Sequence, residues 1–548
     1  MATATFTPRQ IEGLIAKGDD IVIYEESVLR LNAWKDKHPG GNFVIQHMVG
    51  RDATDEMNIS HTVDTLRLIN RYRIGRISGR WTTNFTPPIQ GGVFRPLDEK
   101  DTQDISGRPT STEELMRSRK VFLNNIEEQK SLDGEATLER KDSAHDDALP
   151  AEATLSPNVY TADRVQNDID TDLSKYPSLD GATQQNIAKK FQTLHQQVRD
   201  EGYYECNFSE YGKEMMRYAA LFALFTVCLR TGWYFPAACF LGLFWHQIMF
   251  TAHDAGHRGI THNFNIDTLI GIFIADFCCG LSIGWWKSSH NVHHLVPNLP
   301  EHDPDIQNVP LFATSPTFFS SIKSTYYGTL FPWDAAAGVA VKFQKYTYYP
   351  IMAVARFNLY ILSWIHLVSP RSRTKGKTWW TWYVEVAGIC TYIFLYFYVV
   401  LWRSIPTWQA RAIFLLTSHL ITMPLHVQIT LSHWGTSTAD LGPSESFAQR
   451  QLRTTMDVDC PKWLDFIHGG LQFQAIHHLF PRVPRHNLRR LQSLVKQFCQ
   501  DTEIEYQIHG FADGNCVVLG KLQQVANQAK MLAACQAHMA ATGSSGLH

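Results

Sequence analysis

The sequence predicts a small soluble α+β domain, followed by a mainly α-helical integral membrane domain with about four transmembrane helices. Residues 5–95 of the 548-residue chain have the mixed composition of a soluble unit, whereas long apolar runs recur from about residue 210 onward. Tight histidine clusters lie beside the ends of those runs. The net charge of -2 excludes a nucleic-acid partner held through an overall basic charge.

The first domain carries the motif HPGG at 38–41, followed by FVIQHMVGRDAT and a second histidine, His61. The proline fixes the backbone beside His38, and the two glycines permit a tight turn against a flat ligand. Two histidines on opposing loops can hold a haem iron from both faces, which suits electron transfer rather than oxygen binding. The alternative is a surface turn with an incidental histidine. The stretch resembles cytochrome b5, which implies haem b with His38 and His61 as axial ligands.

Residues 98–185 differ in composition from the first domain: they are acidic, rich in Ser and Thr, and poor in aromatic residues. Such a segment cannot bury enough apolar surface to offset its chain entropy. We therefore predict a flexible linker, with a short solvated helix at 112–130 as the alternative. The linker would raise the local concentration of the first domain without fixing one pose.

Apolar runs at 218–229 and 233–250 predict a helical hairpin. Four more runs follow, at 266–286, 350–368, 382–402 and 411–430. If all histidine clusters share one site, they must lie on the same side of the membrane. The run at 266–286, which lies between two clusters, must then lie in the interface or re-enter. The run at 350–368 contains Arg356, so we leave it out of the spanning set. Four crossings then remain, with every cluster on the cytosolic side. The N-terminus has no apolar signal core, and arginines follow the last cluster, which fits that orientation.

Three clusters have the spacing of metal ligands on helices: HDAGH at 253–257, HNVHH at 290–294 and QAIHH at 474–478. Residues three or four apart share one helix face. A single HxxxH is more often incidental, but three beside apolar runs point to a shared metal centre. Seven histidines exceed one tetrahedral zinc site and favour two metals with open positions. These predicted ligands are His253, His257, His290, His293, His294, His477 and His478.

The three clusters resemble the histidine boxes of membrane fatty-acyl and sphingolipid desaturases. The third box begins with Gln474 inside HGGLQFQAIHHLFPRVPRHNL, as in the cytochrome b5-fused front-end subgroup. The resemblance assigns residues 200–510 to the membrane desaturase domain and 511–548 to a C-terminal tail. It implies two iron ions, O2 as co-substrate, and electrons from NADH through an NADH-cytochrome b5 reductase. It also implies an endoplasmic reticulum membrane, with the b5 domain facing the cytosol. Gln474 would be a weak ligand or a group that orients one.

Several further side chains are candidates for the site. His433 follows the last apolar run, where related desaturases carry an iron ligand, and an interfacial histidine is the alternative. His468 fits the family pattern as a nearby hydrogen-bonding group. Asp254, Asp303 and Asp305 could orient imidazoles or only cap loops. We interpret His262 and His302 as surface residues.

The long acidic insert and the stretch WKSSHNVHHLVPNLPEHDPDIQ are most like fungal Δ8 sphingolipid desaturases. The resemblance therefore implies O2-dependent Δ8 desaturation of the sphingoid base of ceramide. Three alternatives stay open: a front-end fatty-acyl desaturase of the Δ6 or Δ5 type, a lipid hydroxylase, and an electron carrier with an inactive membrane domain. We also expect a narrow apolar tunnel that ends near His290 and His477.

Overall fold

The computed structural model describes residues 4–97, 150–373, 376 and 378–543. The N-terminal domain is a four-stranded sheet in the order β1-β4-β3-β2, with β1 parallel to β4 and the other pairs antiparallel. Its strands are β1 (Thr5–Phe6), β2 (Ile21–Tyr24), β3 (Ser27–Arg30) and β4 (Arg73–Ile77). Its helices are α1 (Pro8–Ala16), α2 (Phe43–Gln46), α3 (Thr54–Ser60) and α4 (Val63–Ile69).

The second half of the predicted linker is ordered helix. The helix α5 (Pro157–Lys175) begins at a Ser156 cap, and α6 (Gly181–Asp200) begins at an Asp180 cap. Arg453 pairs with Asp172 of α5 at 2.7 Å, and both side chains are buried. The linker boundary at 185 is therefore wrong, because α5 packs by contacts that the acidic composition does not reveal. The alternative helix at 112–130 lies outside the described residues.

The described part of the second domain is mainly helical and also contains two small two-stranded sheets. Its helices are α7 (Phe208–Arg230), α8 (Tyr234–Gly256), α9 (Phe264–Ile272), α10 (Ile283–Leu295), α11 (Ala335–Ala340), α12 (Gln344–Val368), α13 (Thr381–Ile393), α14 (Trp408–Leu420), α15 (Met423–Trp434), α16 (Phe447–Arg453), α17 (Asp465–His468), α18 (Gln474–Leu479), α19 (Arg485–Thr502) and α20 (Phe511–Thr542). π-Helical turns continue α9 over Phe273–Cys278 and α13 over Phe394–Ser404. Its strands are β5 (Ile322–Lys323), β6 (Leu330–Phe331), β7 (Asp457–Asp459) and β8 (Ile508–Gly510).

By length and composition, four helical segments among the described residues can cross a membrane, which confirms the predicted number. They are Tyr234–Gly256, Ala335–Val368, Thr381–Ser404 and Trp408–Trp434. The predicted set contained one wrong member, the run at 218–229, because the helix α7 that contains it is not among the four. The run at 350–368 was wrongly left out, since it lies within an apolar helix of sufficient length. The segment at 264–295 bends by 117° between α9 and α10, as a broken span or re-entrant loop does.

Arg356 was the reason for excluding the segment at 350–368, and the structure shows how a charge is accommodated there. The side chain is 1% exposed. Its Nη2 donates to the carbonyl of Cys279 at 2.8 Å, and its guanidinium lies 4.3 Å from the centroid of the Trp245 ring. A cation with such partners is satisfied inside an apolar helix bundle. The sequence shows the charge but not the acceptors that compensate it.

The C-terminal helix α20 is docked on the helical domain. Leu522, Val525 and Leu532 are buried in a core cluster that also contains Tyr348 of α12 and Trp434 of α15. Gln344 ties the two elements together, because its Nε2 donates to the carbonyl of Leu522 at 2.8 Å. The helix thus braces α12 and α15 from one side.

The N-terminal domain is seated on the histidine-bearing end of the helical domain, in one defined pose. Asn291, inside the HNVHH box, donates from Nδ2 to the carbonyl of Gly40 in the HPGG loop at 3.4 Å. Arg482 Nη1 donates to the carbonyl of His61 at 2.7 Å. In the pose that the structure shows, polar contacts and side-chain packing both join the N-terminal domain to the helical domain, so the expected tether can bring it to a defined docking surface.

Aromatic packing strengthens the same junction. The Phe43 ring lies 5.5 Å from the Tyr326 ring, and the Arg371 guanidinium lies 5.3 Å from the Phe43 ring centroid. On the opposite flank, Gln192 Nε2 donates to Asp55 at 2.9 Å. The junction therefore combines apolar packing with hydrogen bonds, as transient protein interfaces do.

Candidate metal centre and haem site

The two predicted haem ligands face each other in the N-terminal domain. The centroids of the His38 and His61 rings are 5.9 Å apart, a separation that suits ring nitrogens on opposite sides of one iron. His38 Nδ1 bonds the carbonyl of Gly41 at 3.1 Å, and His61 Nδ1 bonds the carbonyl of Met57 at 3.0 Å. These bonds orient the rings and leave each Nε2 available as a ligand. The pair fits a haem.

Both imidazoles are neutral at physiological pH. Desolvation between the two loops lowers the pKa of His38 to about 4. Desolvation and the neighbouring His38 lower the pKa of His61 to about 3. A neutral imidazole has the free lone pair that iron coordination requires.

The histidine boxes converge on one buried centre with two groups of ligand atoms. The first group contains His253, His257, His290 and His477, whose nearest ring nitrogens lie within 4.8 Å of one another. They come from the end of α8, from α10 and from α18. The bend between α9 and α10 brings the second box back beside the first. The two boxes therefore lie on the same side of the membrane, as a shared metal site requires.

The second group contains His293, His433 and His478. In each ring, Nδ1 bonds a protein acceptor: Asp303 at 2.8 Å, the carbonyl of Thr454 at 3.3 Å and Gln451 Oε1 at 2.8 Å, respectively. The Nε2 atoms of His293 and His433 then lie 3.2 Å apart. This arrangement aims three Nε2 atoms at one point, as a metal site does. His433 thus lies among the predicted ligands.

His294 lies between the two groups. Its ring centroid is 4.8 Å from that of His257 and 4.2 Å from that of His478. Asp305 adds a carboxylate beside His290 and His293, at 3.8 Å and 3.9 Å from their Nδ1 atoms. The structure therefore brings all seven box histidines and His433 together.

The donor atoms fit metal ions, because several buried ring nitrogens have no protein partner among the described residues. These are Nε2 of His253, His257, His477 and His478, and Nδ1 of His294. A buried polar atom without a hydrogen bond is costly, and a metal ion supplies the missing partner. Burial and the neighbouring imidazoles hold the pKa of His257, His477 and His478 well below the usual value, so these rings are neutral ligands.

A cavity of about 760 Å³ opens onto the metal centre. His253, His290, His293 and His433 form part of its wall, and Gln474 lies beside them. Gln474 is 3% exposed, and its Oε1 has no hydrogen-bond partner among the described residues. The rest of the wall is mostly apolar and includes Ile351, Leu359, Leu362 and Ile429. An apolar cavity therefore lies where the tunnel was expected, with His290 but not His477 in its lining.

Other predicted residues fall outside the metal clusters. His468 is buried near Phe511, with ring centroids 5.9 Å apart. Asp254 bonds Arg485 and Tyr211, so it anchors α19 and α7 to α8. Its other carboxylate oxygen lies 3.9 Å from Nδ1 of His253 in the first box.

The interpretation of His262 and His302 as surface residues was wrong. His262 bonds two carbonyls, those of Arg258 at 2.7 Å and Tyr204 at 2.8 Å, and so fixes the loop after the first box. His302 is buried against His47 of the N-terminal domain, with ring centroids 5.6 Å apart. Asn291 and Arg482 were missed as junction residues, because their role depends on how two domains meet.

Comparison with known proteins identifies both domains. The family model described as fatty acid desaturase matches residues 231–510, and the model described as cytochrome b5-like heme/steroid binding domain matches 7–78. The chain belongs to the fatty acid desaturase family. It is a multi-pass membrane oxidoreductase with a fused cytochrome b5 domain, which implies haem in the first domain and iron in the second.

The curated relatives extend this similarity to nearly the whole chain. The chain is 48% identical to the Delta 8-(E)-sphingolipid desaturase of Emericella nidulans, covering 98% of each sequence. It is 46% identical to the protein of the same name from Komagataella phaffii, over 96% of this chain and 94% of that one. The Delta(8)-fatty-acid desaturase of Helianthus annuus is 38% identical, over 53% of this chain and 62% of its own.

Proposed function

We propose that this desaturase introduces a Δ8 double bond, in the E configuration, into the sphingoid long-chain base of ceramide. The observation that carries the proposal is the near-full-length similarity to fungal proteins of that activity, which includes the fused domain and the segment after it. Similarity to a fatty-acid desaturase covers only about half of the chain. The fatty-acyl alternative therefore has weaker support.

The cavity supports a long-chain lipid as the substrate. Its volume of about 760 Å³ and mainly apolar wall suit one alkyl chain. Asn308, Tyr327 and Thr329 also lie in the wall, on loops rather than on the membrane helices. These polar side chains provide hydrogen-bonding groups for the amide and hydroxyls of a ceramide. With the polar end held there, the cavity would place one pair of methylenes beside His290 and His293.

The metal-binding residues have the composition that oxidation of an unactivated C–H bond requires. Two iron ions held by the histidine clusters would supply the activation of O2, which no side chain can provide. Asp303 orients His293 through a hydrogen bond of 2.8 Å, and Gln451 orients His478 in the same way. Gln474 places a neutral amide where a third-box histidine would stand, in contact with the cavity. We assign it the task of orienting a ligand or water rather than binding iron strongly.

The fused domain is positioned to deliver electrons to this centre. Haem supplies one-electron transfer, and the HPGG loop that holds His38 contacts Asn291, the residue next to His290. Electrons would originate from NADH and reach the domain through an NADH-cytochrome b5 reductase. We place the protein in the endoplasmic reticulum membrane, with the haem domain and the histidine boxes on the cytosolic side.

Lipid analysis tests the proposal. The gene is expressed in a eukaryotic host that lacks the product, and mass spectrometry locates double bonds in all lipid classes. We expect a Δ8 bond in the long-chain base with the natural protein, and none with His294→Ala, which removes the imidazole between the two metal groups. A new bond in fatty-acyl chains would overturn the substrate, and a hydroxylated lipid would overturn the reaction.

A further inference from the structure

Two arginines of the desaturase domain lie at the haem-binding loops. Arg482, just after the third box, donates to the carbonyl of His61 at 2.7 Å and is 8% exposed. Arg258 directly follows the first box. The neighbouring backbone at Gly259 approaches the carbonyl of Arg482, since a Cβ at that glycine would lie 3.5 Å from the carbonyl oxygen. The ends of two histidine boxes thus place two guanidinium groups in one region.

This region contains more positive charge than its acids balance. The Arg258 guanidinium and the Lys287 ammonium both lie over the Phe264 ring, at 4.9 Å and 5.4 Å from its centroid. Within the described ranges, none of Arg258, Lys287 and Arg482 has a carboxylate within ion-pair distance. Nearby Asp267 accepts hydrogen bonds from Thr261 instead. The charge of Asp267 acts on all three cations and that of Glu385 acts on Lys287, so the cations outnumber the acids that face them.

The backbone at Arg258 is also unusual. Its φ is 60°, in the left-handed region that favours glycine and that arginine rarely adopts. Such a conformation persists where the surrounding structure holds it, often at a ligand site. Here His262 holds it, because its Nδ1 bonds the carbonyl of Arg258 at 2.7 Å. The loop therefore holds the Arg258 backbone in a conformation that glycine would adopt more easily.

An anion at the haem loops would balance the remaining positive charge. The charge of Arg258 acts on both His38 and His61, and that of Arg482 acts on His61. A haem carries two propionate carboxylates at one edge, and a guanidinium binds a carboxylate through paired hydrogen bonds. We propose that Arg258 and Arg482 of the desaturase domain bind the haem propionates, so that the haem is shared between the two domains. This inference rests on haem binding by the N-terminal domain and not on the identity of the lipid.

Sharing the haem has a consequence for the function. Docking of the N-terminal domain would depend on its haem. The haem propionates would add two ion pairs to a junction that is otherwise made by hydrogen bonds and by the packing of Phe43. The domain without haem would leave the cations unbalanced and dock more weakly. Docking for electron delivery would then select the domain that carries haem.

The rate of haem loss tests the assignment on the full-length protein. Transfer of haem to excess apomyoglobin is followed by absorbance, for the natural protein, Arg258→Gln and Arg482→Gln. Loss of a charge-assisted bond should make the transfer about tenfold faster in either variant. The matched control is Arg199→Gln: Arg199 also bonds the N-terminal domain, through the carbonyl of Asn58 at 3.3 Å, and not through the carbonyl of an axial histidine. The control should keep the natural rate.

Reconstitution with haem dimethyl ester, which has no carboxylates, separates carboxylate binding from packing. All four proteins should then lose the ester at the same rate. Arg258→Lys retains the charge and should hold natural haem better than Arg258→Gln. Natural-rate haem loss from Arg258→Gln and Arg482→Gln, or equal acceleration with the ester, would overturn the proposal. Either result would mean that the cations bind another anion, such as a lipid phosphate. No lipid reaction enters this assay, so its outcome is separate from that of the Δ8 proposal.

Discussion

At the scale of single residues, the metal centre depends on which nitrogen of each imidazole is left free. His293, His433 and His478 each use Nδ1 for a hydrogen bond to the protein, which directs Nε2 to a common point. The sequence identifies the histidines by their spacing. It does not show that Thr454 and Gln451 would orient two of them, because those acceptors come from a loop and a helix far along the chain.

His433→Ala tests whether the two groups of ligands hold separate metals. The change removes one of three ligands from the second group and none from the first. We expect bound iron to fall from about two to about one per chain, with loss of product and an unchanged haem spectrum. Iron is measured by elemental analysis of the purified protein. His468→Ala is the control, since that buried histidine lies outside both groups, and equal iron loss in the control would contradict the assignment.

At the scale of helices, α12 shows how an apolar helix accommodates a charge. Removing the Arg356 side chain leaves the Cys279 carbonyl without its donor and the Trp245 face without its cation. We expect Arg356→Ala to destabilise the domain by roughly 3 kcal/mol, measured as thermal unfolding in detergent. Arg403→Ala, at an exposed position, should have little effect. A natural melting temperature for Arg356→Ala would mean that the buried guanidinium is not a structural element.

The short helix α2 carries the aromatic contact of the domain junction. Phe43→Ala removes its packing on Tyr326 and Arg371, and should lower the docked population by roughly tenfold. The expected result is slower reoxidation of reduced haem in stopped-flow absorbance, with haem still bound. Val63→Ala, at a side chain that is 49% exposed, is the control. Reoxidation at the natural rate in Phe43→Ala would show that this junction does not limit electron delivery.

At the scale of the whole molecule, the features that could be predicted from the sequence are those that the spacing of nearby residues encodes. The two domains, the facing pair of His38 and His61 and the three boxes follow from motifs such as HPGG and HNVHH, and the number of spanning helices follows from apolar length. What could not be predicted depends on contacts between distant segments. Arg453 orders α5 through Asp172, Cys279 accommodates Arg356, and Asn291 contacts the HPGG loop across a domain boundary. None of these pairings leaves a signal in one sequence.

The central claim is that one chain couples its haem domain to desaturation of a sphingoid base, and one measurement tests it most directly. The purified full-length protein, in membrane discs that contain ceramide or only phospholipid, is reduced without oxygen and then mixed with O2. We predict a new Δ8 bond in the long-chain base, followed by haem oxidation as the haem returns an electron to the metal centre, and both only with ceramide. A new bond in phospholipid acyl chains, or a Δ8 product with no haem oxidation after it, would contradict this coupling.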